Sequence, residues 1–257
     1  MIFNKIIPLS DNANAQVNAD PPLAVAARHP SISIIIPVLN EIGLIEHFLS
    51  QLRERASGAE LIVVDGGSSD ETPQAARPLC DQLLQSAPGR ARQLNAGARV
   101  AHGDILWFLH ADVEPPPRCL DCIQEVLSQA GGGYFRIRMP RSSPIYRLTD
   151  SFAHYAGQLL RMRCGDHGLF CRRSIFEAIG GFPELPLMED VEFYRALRRV
   201  AKVRHTSARL TVSPRRYERL GALRITASYG LIAMLYTFGV RPAKLARLYA
   251  RTCSRGA

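Results

Sequence analysis

Between residues 31 and 130, short uncharged runs alternate with longer stretches in which apolar positions recur every three or four residues. SISIIIPVL (31–39) is β-branched and apolar on both faces, which is how a strand buried on both sides of a sheet reads. EIGLIEHFLSQLRERA (41–56) follows, with Ile42, Ile45, Phe48, Leu49 and Leu52 on one helical stripe. ELIVVDGGSSDET (60–72) gives a second buried strand that ends in an Asp and a Gly-Gly-Ser turn. TPQAARPLCDQLL (72–84) reads as a helix that tolerates Pro73 in its first turn and kinks at Pro78. PGRARQLNAGARVAHG (88–103) reads as a helix opened by Pro-Gly and closed by Gly103. DILWFLHADV (104–113) is a third strand, and PPPRCLDCIQEVLSQA (115–130) a fourth helix. This alternation with short links predicts βαβ units, hence an α/β fold with a mostly parallel sheet flanked by helices.

Beyond Gly131-Gly132-Gly133 the rhythm loosens. GYFRIRMP (133–140) reads as a strand and SPIYRLTDSFAHYAGQLLRM (143–162) as a long helix with an aromatic stripe. GDHGLFCRRSIFEAIGGF (165–182) reads as strand, turn and short helix. LMEDVEFYRALRRVA (187–201) is an amphipathic helix with acids at its start and Arg at its end, as the helix dipole favours. KVRHTSARLTVSPRR (202–216) closes the regular part. The expected organisation is a flexible arm (1–30), one α/β domain (31–215) and a basic helical extension (216–257).

Composition narrows the classes. The chain has 257 residues and a formal net charge of +9, enough length for a sizeable core without disulfide or metal staples. It holds no apolar run long enough for a polytopic membrane protein. Six cysteines do not form a disulfide framework; Cys119 and Cys122 are a lone CxxC, read as reduced thiols on a helix. Reduced thiols make the reducing cytoplasm the expected compartment, and residues 1–30 lack the apolar core of a signal peptide. The positive charge suits nucleic acid, anionic lipid or phosphorylated small molecules. No nucleic-acid reader motif is present, so nucleic acid is not an expected partner. The tail has an uncharged stretch, Ser228 to Val240, flanked by Arg224, Arg241, Lys244, Arg247 and Arg251. Two readings compete for it: a helix packed on the core, or a segment resting on the anionic inner face of a membrane.

In open parallel sheets, ligands bind beyond the carboxyl ends of the strands. Those ends carry Pro37-Val38-Leu39-Asn40-Glu41, Asp65-Gly66-Gly67-Ser68-Ser69-Asp70 and His110-Ala111-Asp112. Asp70 and Asn40 also suit helix capping. Asp65 and Asp112 end the most hydrophobic strands, and capping does not explain them.

IIIPVLNE, VVDGGSSDET, GRARQLNAGA, ILWFLHADV and MEDVEFYRAL together resemble family 2 glycosyltransferases of the GT-A fold, over roughly residues 31–215. Within that family the chain is similar to a small cytosolic branch with a Leu-His-Ala-Asp metal motif, described in connection with arsenosugar biosynthesis. The resemblance implies an inverting, metal-dependent transfer from a nucleotide-diphospho-sugar, UDP ahead of GDP, to an acceptor hydroxyl; the acceptor itself is not read from the sequence, and the basic tail suits a lipid-linked one as well as a small molecule. It implies that Pro37, Asn40 and Glu41 hold ribose and base, and that Asp65 accepts a hydrogen bond from the base. Gly66 and Gly67 would let backbone approach the nucleotide, Arg90 would meet phosphate or base, and Asn95 and Gly97 would lie along the nucleotide. His110 and Asp112 occupy the family's Asp-x-Asp position. A carboxylate there binds Mn2+ or Mg2+ jointly with phosphates, and a histidine ligand tilts the choice toward Mn2+. His110 equally suits a bond to phosphate, or packing. Glu189-Asp190 matches the family's Glu-Asp pair, with Asp190 as general base and Glu189 as its supporting or acceptor-orienting neighbour; complementing the helix dipole is the other reading. Gly165-Asp166-His167-Gly168 matches a Gly-Asp-Gln-Gly turn, with Asp166 and His167 near acceptor or sugar. Arg215 and Arg216 fall where diphosphate contacts are expected. The rivals are a sugar nucleotidyltransferase, whose Gly-rich basic loop is replaced here by Pro-Val-Leu-Asn-Glu, and a non-catalytic nucleotide-sugar-binding protein.

Overall fold

The structure, a computed structural model, describes residues 30–139, 157, 160 and 162–253. Its first half is built as the hydrophobic pattern predicts. Strands β1 (Ile32–Val38), β2 (Glu60–Asp65) and β4 (Ile105–Phe108) pair in parallel, with β1 central. Their alternate residues enter two separate cores. Ile34, Ile36, Leu61, Val63, Ile105 and Trp107 face one side, where α1 (Ile45–Arg55) and α4 (Cys119–Leu127) pack. Ile35, Ile62, Val64, Leu106 and Phe108 face the other, against α3 (Arg90–Val100), α5 (Arg173–Ile179) and α6 (Glu189–Val200). Burial on both faces is why these strands carry no polar alternation.

The parallel run is narrower than expected. The complete order is β3-β2-β1-β4-β7-β6-β8-β5, with β7 (Phe170–Arg172) antiparallel to both β4 and β6 (Gly132–Arg138). β8 (Val203–Val212) runs parallel to β6, and β5 (Val113–Glu114) is antiparallel to β8. Residues 202–212 thus supply a ten-residue strand where the sequence suggested only a closing segment. Residues 72–84 are not one helix. α2 (Thr72–Ala76) gives way to a 3-10 turn at Arg77–Leu79 and then to edge strand β3 (Gln82–Gln85). Pro78, which has no N–H to give, sits at that change. Ile42 lies outside the stripe assigned to it: α1 begins at Ile45, and Ile42 is exposed. The stretch after β4 bends into a turn at Ala111-Asp112 instead of extending as strand. The arm 1–29 and most of the helix expected over 143–162 lie outside the described residues.

Helix and sheet approach closely at Gly97, where a Cβ would lie 2.5 Å from Ile35 Cγ2 and 3.0 Å from Val64 Cγ2. All six cysteines are free thiols. Cys119 sits in the first turn of α4 with its thiol directed at the Arg55 carbonyl, 3.4 Å away, and burial pushes its pKa up to about 11. The lone CxxC is therefore a pair of reduced thiols on a helix, as read.

The C-terminal chain folds into α7 (Arg215–Leu220), α8 (Ala222–Thr237) and α9 (Pro242–Cys253). Ile232 and Leu245 pack with Leu187, just ahead of α6. Tyr236 donates to Glu192 at 2.6 Å, and Arg195 lies over the Tyr236 ring at 5.2 Å. The helical extension is thus docked beside the start of α6. Among the described residues no helix is long and apolar enough to cross a membrane.

At the opposite end of the sheet, Glu60 clamps three segments. It accepts from Ser33 Oγ at 2.5 Å, Gln82 Nε2 at 2.7 Å and the His102 N–H at 2.9 Å. Burial pushes its pKa up, but these bonds outweigh burial and hold it at about 2. A depressed carboxylate pKa stabilises the fold fully above the unfolded value and loses that contribution as pH falls from about 4.5 to about 2. Glu60→Gln should therefore lose on the order of 1–2 kcal/mol at pH 7 in urea unfolding, with a difference from wild type that shrinks across that window.

Candidate active site

The carboxyl ends of β1 and β2 carry the first group of predicted residues. Pro37 is half-buried in β1, and Asn40 is exposed with a left-handed φ of 54°. The Asn40 Oδ1 accepts from the Ser69 N–H at 2.8 Å, and the Asn40 N–H donates to Ser68 Oγ at 2.9 Å. The Glu41 N–H donates to Thr72 Oγ1 at 2.8 Å. Asp70 ties the same two loops, accepting from the Thr72 N–H at 3.0 Å and the Ile42 N–H at 3.3 Å. The Thr72 hydroxyl, above all, depresses its pKa. Asp65 is 2% exposed, and its carboxylate accepts from Gly67 N–H at 3.0 Å and Ser68 Oγ at 2.5 Å. In this structure Asp65 organises its own loop. Gly67 takes the left-handed φ of 91° that the turn requires. Gly66 is close to protein instead: a Cβ there would lie 3.0 Å from the Gln93 amide.

Gln93, which the sequence reading did not single out, holds this edge together. Buried at 3% exposure, its Nε2 donates to the carbonyls of Val38 and Val64, each at 2.8 Å, joining the ends of β1 and β2. The available signal was a Gln in the first turn of the helix that Pro88-Gly89 opens. Asn95 and Gly97 have structural partners within the fold. The Asn95 amide bonds the backbone of Phe182, donating at 2.8 Å and accepting at 2.9 Å. Gly97 is buried against β1 and β2.

The second group converges at the end of β4 and the start of α6. His110 Nδ1 lies 3.2 Å from Asp166 Oδ1, and the ligand atoms of His110, Asp112 and Asp166 all lie within 4.8 Å of one another. That spacing and donor set fit one Mn2+- or Mg2+-sized cation. Asp166, expected near acceptor or sugar, thus joins the metal candidates. Burial disfavours protonation of His110, but the bond and charge of Asp166 overcome it and raise the pKa. His167, its neighbour in the same 3-10 turn, is buried with its ring edge-on to Tyr134 at 5.9 Å.

Met188, in a left-handed conformation (φ 68°), opens α6 and aims the two acids that follow. Asp190 Oδ2 accepts from the Gly165 N–H at 2.6 Å and Oδ1 from the Val191 N–H at 2.7 Å. Glu189 is 2% exposed; its Oε1 pairs with Arg90 Nε at 2.8 Å, and its Oε2 has no hydrogen-bond partner among the described residues. Burial, then the Asp190 charge, raise the Glu189 pKa against the pull of Arg90. Arg90 is held charged despite burial by Glu189 and Asp190, with Tyr249 of α9 contributing. Cys164 lies beside these acids, and desolvation, then the charges of Asp190 and Asp166, raise its pKa well above the usual thiol value and keep it a thiol. Arg215 is exposed at the start of α7, two residues after Ser213, whose N–H donates to the Asp112 carbonyl at 2.9 Å. The chain thus brings Arg215 past the metal loop; the side chain of Arg216 is outside the described residues.

The geometry has counterparts in known proteins. The family model for glycosyl transferase family 2 matches residues 33–177. Glycosyltransferase AglE of Haloferax volcanii is 28% identical over 171 residues, covering 60% of this chain and 56% of that protein. The undecaprenyl-phosphate 4-deoxy-4-formamido-L-arabinose transferase of Pectobacterium carotovorum is 31% identical over 133 residues, covering 47% and 41%. The chain spans about half the length of the relatives it matches. Among solved structures, the mannosyltransferase PcManGT of Pyrobaculum calidifontis, in complex with GDP-Man and Mn2+, aligns with a TM-score of 0.61 at 21% identity, covering 88% of this chain and 70% of that one. Glucosyl-3-phosphoglycerate synthase of Mycobacterium tuberculosis, with Mn2+, UDP and glucosyl-3-phosphoglycerate, aligns at 0.53 and 20% identity, covering 82% and 81%. These similarities confirm the GT-A type of α/β fold.

A metal held by the three-residue cluster should leave a measurable trace in the free protein. Mn2+ should raise the melting temperature of the wild type. Asp112→Asn and Asp166→Asn should each weaken Mn2+ binding by at least about tenfold in calorimetric titration.

Proposed function

The chain belongs to glycosyltransferase family 2, and from that premise we propose that it transfers a sugar from a nucleotide-diphospho-sugar to an acceptor hydroxyl, with inversion and with a divalent metal. The observation that carries this reading is the continuous run of contacts His110–Asp166, Gly165–Asp190 and Glu189–Arg90. It sets a candidate metal site, a candidate base and a cation side by side at one edge of the sheet.

Each residue then has a physical task. The Asn40 and Asp65–Asp70 loops, fixed by their own hydrogen bonds and by Gln93, form the floor for the nucleoside. Asp112, Asp166 and His110 hold the metal. When bound, Mn2+ or Mg2+ neutralises the diphosphate that departs; the imidazole favours Mn2+. Arg90, at the N-terminus of α3 and balanced by Glu189, presents charge to the leaving group, and Arg215 can add a second cation from α7. Asp190 is the base. It takes the acceptor's proton as that oxygen attacks the anomeric carbon from the face opposite the departing phosphate. The Gly165 N–H keeps its carboxylate aimed, and Glu189 orients the acceptor through the Arg90 pair. Closure of the crevice on the donor would strengthen these charges by excluding water.

The donor proposed is a UDP-sugar ahead of a GDP-sugar, and the acceptor a lipid-linked or otherwise anionic molecule. Relatives named for undecaprenyl-phosphate substrates support the lipid-linked choice. So does the extension over residues 216–257. Leu223, Leu231, Met234 and Phe238 are all exposed, Phe238 at 80%, and at 3.6 residues per turn they fall in one stripe about 80° wide. Arg219, Arg224, Arg241, Lys244, Arg247 and Arg251 accompany them, and Glu218 is the one acid between residues 215 and 253. An apolar stripe with a basic surround suits the surface of an anionic membrane.

Two experiments bear on these proposals. Asp190→Asn should lower transfer by about 10²–10⁴ while leaving donor binding within a few-fold of wild type; transfer at the wild-type rate would refute the assignment of the base. In co-sedimentation, the protein should prefer phosphatidylglycerol vesicles to phosphatidylcholine ones, and Leu223→Ser with Phe238→Ser should abolish the preference. Equal recovery on both vesicle types would remove the membrane proposal and leave the transfer reaction standing.

A further inference from the structure

A cavity of about 650 Å³ opens beside α4, α6 and the first residues of β6 and β8. Tyr134, Tyr194 and Arg163 line it from the buried side, while Arg198, Arg204 and His205 stand exposed around it. Glu125 is the only acid in its lining. None of these residues belongs to the proposed transfer chemistry. The Tyr134 ring in the lining lies 5.9 Å from the ring of His167, the residue after Asp166.

Arg163 decides what the cavity suits. It is 1% exposed. Its Nη1 donates to the Met162 carbonyl at 2.8 Å and its Nη2 to the Tyr134 hydroxyl at 3.2 Å, while Nε has no partner. Among the described residues no carboxylate pairs with it. A buried charge without a counter-ion carries a desolvation penalty that bonds to neutral acceptors offset only in part. The Tyr134 ring, 4.8 Å from the guanidinium, adds a cation–π contact. Arg198, 5.7 Å over the Tyr194 ring, and Arg204, whose Nη1 donates to Gln129, bring two further planar guanidinium groups to the same space. Three guanidinium groups and an imidazole against one carboxylate, with tyrosine rings behind them, recognise a small anion with several acceptor oxygens.

We propose that this cavity is a second ligand site, specific for a small phosphorylated anion and separate from the acidic crevice. Its position also gives it a route to the crevice. Arg163 is followed by Cys164 and Gly165, and the Gly165 N–H donates to Asp190. A ligand that fixes the Arg163 guanidinium fixes the turn that carries Asp166 and aims Asp190.

The test uses the full chain with inorganic phosphate and inorganic pyrophosphate as probes, in EDTA so that no metal draws either into the crevice. Calorimetric titration should show saturable binding of at least one probe to the wild type. Arg198→Gln with Arg204→Gln, both exposed and safe for folding, should weaken it at least about tenfold, the change that about 1.4 kcal/mol makes. Arg90→Gln, in the crevice, should leave it unchanged. Arg163→Met should melt no lower than wild type without phosphate and should lose the rise in melting temperature that phosphate gives the wild type. Absence of saturable binding, wild-type affinity in the Arg198/Arg204 variant, or loss of binding in Arg90→Gln would each overturn the proposal. If Arg163→Met does not fold, the exposed pair alone decides it.

Discussion

Crowding of carboxylates is the constraint around which this molecule is arranged. Asp112, Asp166, Glu189 and Asp190 meet within one crevice, two of them nearly inaccessible to water. Like charges in low dielectric cannot all stay ionised without compensation. The fold answers in three ways. Arg90 neutralises Glu189 directly. Backbone N–H groups of Gly165 and Val191, with the N-terminus of α6, hold Asp190. His110 meets Asp166, which raises the imidazole pKa and so recruits positive charge. The remaining imbalance, a buried Glu189 Oε2 with no hydrogen bond among the described residues and a pKa pushed upward, is located where a metal and an acceptor would enter.

The strand ends were legible because they break a rule. A strand buried on both faces reads as an unbroken apolar run, so an Asp or His at its end stands out, as Asp65 and His110-Ala111-Asp112 do. What each residue does was less legible. Asp65 and Asn40 proved to tie their own loops, and Asn95 a distant backbone, because the hydrogen-bond partner of a polar side chain is set by tertiary approach and leaves no local trace. Asp166 entered the metal cluster by the fold-back of a turn 56 residues away from His110, a contact that sequence spacing does not encode. Gln93 was missed for the same reason. β3 and β8 were missed because one is short and half-buried and the other interleaves charged and polar residues along its length. Pro78 was seen as a kink and acts as a terminator.

The net charge of +9 is divided between regions with different requirements. Around the crevice, basic residues are bound to acids: Arg90 to Glu189, Arg92 to Glu184, Arg195 to Glu192. Over α7 to α9 the basic residues have little acidic company. That asymmetry follows from chemistry. On the proposed function, a crevice that is to receive a metal and a diphosphate together has to be acidic before they arrive, and a surface that is to meet an anionic lipid has to be basic. Tyr236 and Glu192 join the two regions, since their 2.6 Å bond fastens α8 to the helix that presents Glu189 and Asp190. Whatever tilts α8 therefore acts on the helix that carries the candidate base.

The same helix, α6, has its two ends in opposite electrostatic surroundings, and this explains why one crevice cannot serve both a metal and a free anion. At its start the acids complement the helix dipole and attract a cation. Two and a half turns on, Arg198 stands beside Tyr194 over a cavity lined by Arg163, which has no carboxylate partner among the described residues. A phosphorylated molecule without a metal is repelled by the first surface and attracted by the second. Separation along the helix lets each surface keep the sign its ligand needs, and the Arg163–Cys164–Gly165 backbone is the covalent link by which occupation of one is felt by Asp190 in the other.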